Sequence, residues 1–324
     1  ELKLGLWMES ERLLHPIVDQ KAVDTQNEVV KEEKRQRMDN APYGKIQYGM
    51  VYKHLFDKHN YGRPLIGFIE DLDNAKLDEF KAFYDKWYMP NNAVLVVAGD
   101  FQKAETKALI EDYFGTIPSG TLPKRIEKIE PERTQEKRVT EYDSNIQLPA
   151  IVLLHKAPSM RDREAKVLDV ISTILSDGKS SRLQKKLVEK KKKALAVFSF
   201  GRSMVDYGVY TIGAIPLGET SLDDLIKEMD EEIVKLQTEL ISDEDLQKVR
   251  NKFENQFVAS NSNIEGIANS LARNYMLAGN TNGINKELEI INSITKEEIR
   301  EVARKYLAKE RRVVMDYLPE SKKK

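Results

Sequence analysis

Residues 77–100, LDEFKAFYDKWYMPNNAVLVVAGD, decide how this chain is read. Leu77, Phe80 and Tyr84 recur at helical spacing through 77–88. MPNN is a turn, and AVLVVAG (93–99) is a continuous apolar run of strand length. The same grammar closes the chain: Ile294 precedes a helix expected over 296–307 with Ile299, Val302 and Tyr306, then a turn, then RRVVMDYL. Leu72, Leu77, Phe80 and Tyr84 match Ile294, Ile299, Val302 and Tyr306 at an offset of roughly 222. The helices ahead of the two endings correspond as well, QNEVVKEEKRQR in the first half and VRNKFENQFVAS in the second. The expected architecture is a duplicated α+β unit.

Working outward, ELKLGLWMESERLL is amphipathic until Pro16 interrupts it. A second helix is expected over 19–38, with Asp19 as N-cap and Val23, Val29 and Val30 on its buried side. DNAPYG breaks it, 45–56 and 103–114 read as helices, and HNYGRPLIG reads as a loop. Residues 118–137 turn to prolines and charges and read as a linker. Beyond it, strands are expected over 138–142, 150–155, 196–200 and 208–215 and in RRVVMDYL, with helices over 163–176, 181–192, 222–240, 243–260, 264–277 and 296–307. The expected organisation is a first lobe at 1–117, the linker, a second homologous lobe at 138–318 and a charged tail at 319–324. A single buried strand cannot satisfy its own backbone donors and acceptors. The first lobe is therefore expected to have lost most of its sheet from its front, an expectation in line with an opening pattern that carries no cap.

Composition narrows the function. The length of 324 residues suits two domains of about 150 each, and 40% hydrophobic with 32% charged residues describes a globular chain with a heavily charged surface. A net charge of -1 gives no reason to expect nucleic acid as a partner, and the basic run 185–193 reads as a solvated helix face. The chain has no cysteine, which excludes thiolate catalysis, Cys-ligated zinc and disulfides. No run of about 18 apolar residues occurs, so no membrane span is expected. Nothing in the composition fixes the compartment. GxSxG, GxxxxGK[ST] and a strand-borne GxGxxG are all missing, and DGKSSRL (177–183) reads as a helix-start turn. His15, His54, His59 and His155 contain no i, i+4 pair and read as structural or surface residues. Glu28, Glu32 and Glu33 cluster on the second helix, Glu33 two turns after Gln26; by composition this is a charged solvent face.

Read together, LGLWMESERL, NEVVKEEKRQRMDNAPYG, YGRPLIGFIEDLDNAKLDEFKAFYDKWYMPNNAVLVVAGDF, YFGTIPSG, LSDGKSSRLQKKLVE and the closing helix-strand unit resemble the pitrilysin/insulinase family of inverted zincin metallopeptidases, in the bacterial branch related to mitochondrial processing peptidase. The similarity covers essentially the whole chain. It implies two related lobes of the half-shell type, each with helices packed on a mainly antiparallel sheet. In that family the catalytic half carries HxxEH, whose histidines bind zinc and whose glutamate is the general base. A later glutamate completes the ligand set, and the resemblance implies Glu33, with Glu32 as the one-residue-slip alternative. Three departures matter: HxxEH is missing from the sequence, Gln26 stands where the family often has glutamate, and a family arginine and tyrosine that hold substrate fall near residues 188–190 and at Val197. The resemblance thus implies part of a zinc endopeptidase for peptides or unfolded segments, inactive and without tightly held zinc on its own, paired with a related subunit as a homo- or heterodimer. The alternative is a non-catalytic peptide-binding or structural subunit.

Overall fold

The computed structural model describes residues 1–323. The first half is helical: α1 Leu2–Leu14, α2 Gln20–Lys34, α3 Val51–Leu55, α4 Ile69–Asn74, α5 Leu77–Trp87 and α6 Lys103–Phe114. Then follow β1 Lys137–Asp143, β2 Ala150–Ala157, α7 Arg163–Ser176, β3 Ala194–Ser203, β4 Gly208–Pro216, α8 Leu222–Thr238 and α9 Asp243–Ser260. The remainder is α10 Ile264–Ala278, α11 Gly283–Ser293, α12 Lys296–Tyr306 and β5 Arg312–Pro319. The fold is α+β, as read, and all five strands expected beyond the linker are present. Helix α11 escaped the sequence reading.

Two compact units form, and neither is continuous in sequence. One comprises Gln36–Leu65, Lys128–Phe257 and the residues from Asn285 onward; the other comprises Glu1–Arg35, Ile66–Glu127 and Val258–Ile284. Residues 36–65, which precede the linker, thus group with the sheet that follows it.

The sheet unit has strand order β1-β5-β2-β4-β3, with β1 and β5 parallel and the other pairs antiparallel. Its apolar pattern follows from burial on both faces. Ile151 and Leu153 of β2 join Val167, Ile171, Met229 and Ile299 from α7, α8 and α12. Val152 and Leu154 join Tyr52, Leu55, Val313 and Met315 on the other face. A strand covered on both sides has no polar face to alternate with, which is why AIVLL reads as unbroken apolar sequence. Ser221 and Thr295 cap α8 and α12 by accepting from the N–H groups of Asp224 and Glu298, each at 3.1 Å.

The basic run is more than a solvated face. Lys186, Lys191 and Lys193 reach the buried Glu228 of α8 at 3.1, 2.7 and 2.9 Å. Burial alone would raise that carboxyl, but the three ammonium groups win and hold it at about 2. A carboxyl depressed in the folded state stabilises above its unfolded pKa and loses that contribution as pH falls through the folded one. Glu228 should therefore contribute on the order of 3 kcal/mol at neutral pH, lost between about pH 4.5 and pH 2. Acid titration of urea stability should show this loss in the wild type and a flatter profile in Glu228→Gln; parallel profiles would remove the assignment.

The end of the linker is fastened rather than loose. Glu130 is buried, and its carboxylate accepts from the backbone N–H groups of Asp57, Lys58 and His59 at 2.9, 2.8 and 2.7 Å.

The other unit is built differently. Among its described apolar residues only Leu6, Val23 and Met89 are fully buried, while Trp7, Val29, Phe83 and Leu95 are exposed. Much of its cohesion is polar: Tyr84 donates to the Arg12 carbonyl at 2.7 Å, Asn27 to that of Leu72 at 3.2 Å, and Asn91 to that of Gly120 at 2.8 Å. Two expectations fail here. Residues 93–99 form no strand among the described residues, because no neighbouring strand offers them a ladder. Val29 is 53% exposed rather than on the buried side of α2.

The helix and turn of the two endings recur at a different offset. Leu77 and Lys296 open α5 and α12 at a separation of 219 residues, and Pro90 and Lys309 open 3-10 turns at the same separation. The offset of roughly 222 read from the apolar pattern is one helical step away, since positions three apart share a helix face. In the corrected register 93–99 corresponds to the first seven residues of β5, which in its own sheet is flanked on both sides.

Candidate functional site

Helix α2 carries the residues singled out for metal binding. Asp19 caps it as expected, accepting from the Ala22 N–H at 2.8 Å. Along it, Lys31 is held between Glu28 at 2.7 Å and Asp73 at 2.6 Å. Hydrogen bonds to Asp73 and then Glu28 raise the Lys31 ammonium above its ordinary value. Glu32 is exposed and lies 3.2 Å from Arg35. Glu33 is half-buried. It follows Val29 by four residues and Gln26 by seven, so an exposed valine and a carboxylate sit one above the other. Immediately after Lys34 the helix widens into the π-turn Arg35–Asp39, a distortion that concentrates at functional sites.

Zinc, which the resemblance implies, needs imidazole ligands beside such a carboxylate. Among the described residues no group of three His, Cys, Asp or Glu side chains could hold a metal. The four histidines are engaged or buried elsewhere. His15 is 4.0 Å from Glu11, His54 is 2.7 Å from Glu141, and His59 is 3.3 Å from Asp206. Burial lowers the His54 imidazole despite Glu141. His155 is fully enclosed in β2, and burial, helped by the charge of Arg312, pushes it down to about 3. The residues present therefore do not fit zinc by themselves: α2 offers a carboxylate, and no imidazole pair completes it.

Of the positions matched to the family arginine (188–190) and tyrosine (Val197), Val188, in the π-turn Gln184–Lys190, and Val197, in β3, lie half-buried against the main core, while Glu189 and Lys190 are exposed.

Comparison with known proteins adds a family. A model described as the peptidase M16 inactive domain matches residues 74–253, more than half of the chain. The zinc protease PqqE of Helicobacter pylori is 27% identical over 262 residues, covering 80% of this chain and 58% of its own length. The uncharacterized zinc protease YmxG of Bacillus subtilis is 23% identical over 297 residues, covering 91% and 70%. The chain thus spans less than two thirds of the first of these relatives. Among solved structures, a protease from Helicobacter pylori matches with a TM-score of 0.88 at 24% identity, over 98% of this chain and 76% of its own. A peptidase M16 inactive domain from Pseudomonas fluorescens gives 0.81 at 17% identity, over 97% and 74%. At these identities the structures establish the half-shell fold.

Proposed function

The chain belongs to the peptidase M16 family, matching its inactive domain, and from that premise we propose that it is part of a zinc-dependent endopeptidase acting on peptides or unfolded segments. In this reading Glu33 is the third protein ligand to zinc, with Glu32 as the alternative. The two histidines and the general base come from an HxxEH helix outside these 324 residues. The zinc would polarise water and substrate carbonyl there, while this chain contributes a negative oxygen ligand and the walls of a chamber shared with a related subunit. Strands flanking 93–99 on both sides, as β1 and β2 flank β5, would complete a first lobe homologous to the second and cover the exposed Val29 beside Glu33.

The observation that carries this reading is the similarity over 80% of the chain to a relative named a zinc protease. A second reading, a non-catalytic peptide-binding or structural subunit, is favoured by Val197, which puts apolar packing where the substrate-holding tyrosine is expected.

Metal analysis and hydrolysis of an unstructured fluorogenic peptide separate the two. The chain alone should hold no stoichiometric zinc and show no chelator-sensitive cleavage; adding an HxxEH-bearing M16 segment should bring both. Stoichiometric zinc and cleavage without that segment would refute inactivity, and a folded but silent completed protein would leave the scaffold reading standing.

A further inference from the structure

The π-turn Ile46–Met50, helix α3 and strand β3 border a cleft of about 360 Å³ within the sheet unit. Alternation along β3 sets which side chains reach it. Phe198 packs on the core that holds Tyr52 and Val209, whereas Val197 packs on the core that holds α7. Phe200 and Arg202, two and four residues after Phe198, therefore share the face of Tyr52. Arg202 lies opposite Val209 of β4.

Three residues with donor groups line this cleft: Arg202, Tyr52 and Gln47. Arg202 and Gln47 are exposed. Burial raises the Tyr52 phenol, and Arg202, through its charge and its contact with the hydroxyl, offsets part of that rise. Tyr52 is thus protonated at neutral pH, and because its oxygen faces a guanidinium, its proton is left to donate in another direction. Other arginines of the same unit show what a filled guanidinium fork looks like. Arg138 holds both oxygens of Asp316 at 2.7 and 2.9 Å, Arg163 holds both of Glu298 at 2.6 and 3.0 Å, and Arg312 holds both of Asp230. Arg202 has no carboxylate partner among the described residues.

An open fork beside two neutral donors matches a carboxylate, which only accepts and which guanidinium holds by two parallel hydrogen bonds. Much of the remaining lining is apolar: Val51, Val209 and the rings of Tyr48 and Phe200. A glutamate side chain has only methylenes beside its carboxylate, whereas the last residue of a peptide carries a whole side chain on the adjoining carbon and can rest it on that wall. We propose that the α3–β3 cleft receives the C-terminal carboxylate of a bound peptide whose last side chain is apolar, with Arg202, Tyr52 and Gln47 as donors. The peptide as source rests on the function proposed above; the chemistry of the cleft does not.

Calorimetric titration of the full chain at neutral pH tests both levels. N-Acetylphenylalanine should bind at least about tenfold tighter than its uncharged amide. Arg202→Gln should weaken the acid by about tenfold or more, and Tyr52→Phe, which keeps the ring in its core and removes one donor, by about threefold or more. Circular dichroism verifies that each variant keeps its fold. An unstructured peptide ending in phenylalanine should bind at least about tenfold tighter as the free acid than when amidated, and Arg202→Gln should erase the difference. Replacing an internal glutamate of that peptide by glutamine should leave its affinity unchanged. N-Acetylphenylalanine binding that is undetectable, or unchanged in folded Arg202→Gln, overturns the cleft as a carboxylate site. Equal affinity for acid and amidated peptides, or a loss that follows the internal glutamate instead, overturns the C terminus as its occupant while peptide binding itself stands. If N-acetylphenylalanine binds through Arg202 and neither peptide binds, the C-terminal proposal falls together with the peptide reading.

Discussion

Replacing Glu33 by glutamine, in a protein completed with an HxxEH segment, should lower zinc affinity and peptide hydrolysis by at least about a hundredfold, more than the loss of an outer-shell partner brings. Glutamine keeps size and hydrogen bonding but removes the charge that makes a carboxylate a zinc ligand. Glu32→Gln is the control. Glu32 is exposed and within 3.2 Å of Arg35, so its loss should change either quantity by less than about threefold. Zinc stoichiometry by atomic spectroscopy and initial rates on the same peptide decide the matter. A large effect at Glu32 and none at Glu33 would move the ligand by one residue; no effect at either would remove α2 from the metal site.

The largest stability effect belongs to Arg312. Its side chain is 2% exposed. The guanidinium pairs with both carboxylate oxygens of Asp230 and with Glu136 at 2.7 Å. Arg312→Ala opens a cavity and takes the cation from two carboxylates that are 26% and 34% exposed, so the loss should lie near the low end for breaking a buried pair, about 3 kcal/mol. Arg312→Met keeps most of the volume and should recover part of the loss. Urea unfolding followed by far-UV circular dichroism measures both; the tryptophans are poor reporters here, since Trp7 and Trp87 belong to the other unit. A loss below about 1 kcal/mol for Arg312→Ala would mean that the cluster is a surface pair in energetic terms.

The strands beyond the linker were legible because their sequences carry the whole signal. Unbroken apolar runs such as AIVLL demand cover on both faces, and the fold supplies it. Residues 93–99 have the same apolar character without a ladder, because composition reports what a segment can pair with and pairing needs a second segment. The register of the repeat was off by three for a related reason: a helix face looks alike after a step of three, and only the turns at Pro90 and Lys309 fix the phase. Glu130 stayed hidden since its role rests on three backbone N–H groups more than seventy residues away. Glu33 was picked out by resemblance; its half-buried setting, beside an exposed valine, is what the fold adds.

The place of β5 in the sheet has a kinetic consequence. It follows the other four strands in sequence, yet it sits between β1 and β2, with Lys137 paired to Val313 and Leu153 to Val314. Until β5 emerges, β1 has no neighbour in the sheet and β2 has only one. Contacts this distant in sequence are slow to close, and the waiting strands present unpaired apolar edges of the kind that invite aggregation. The nascent sheet unit is thus most vulnerable just before β5 appears, when β1–β4 and the helices α7–α12 have already been made.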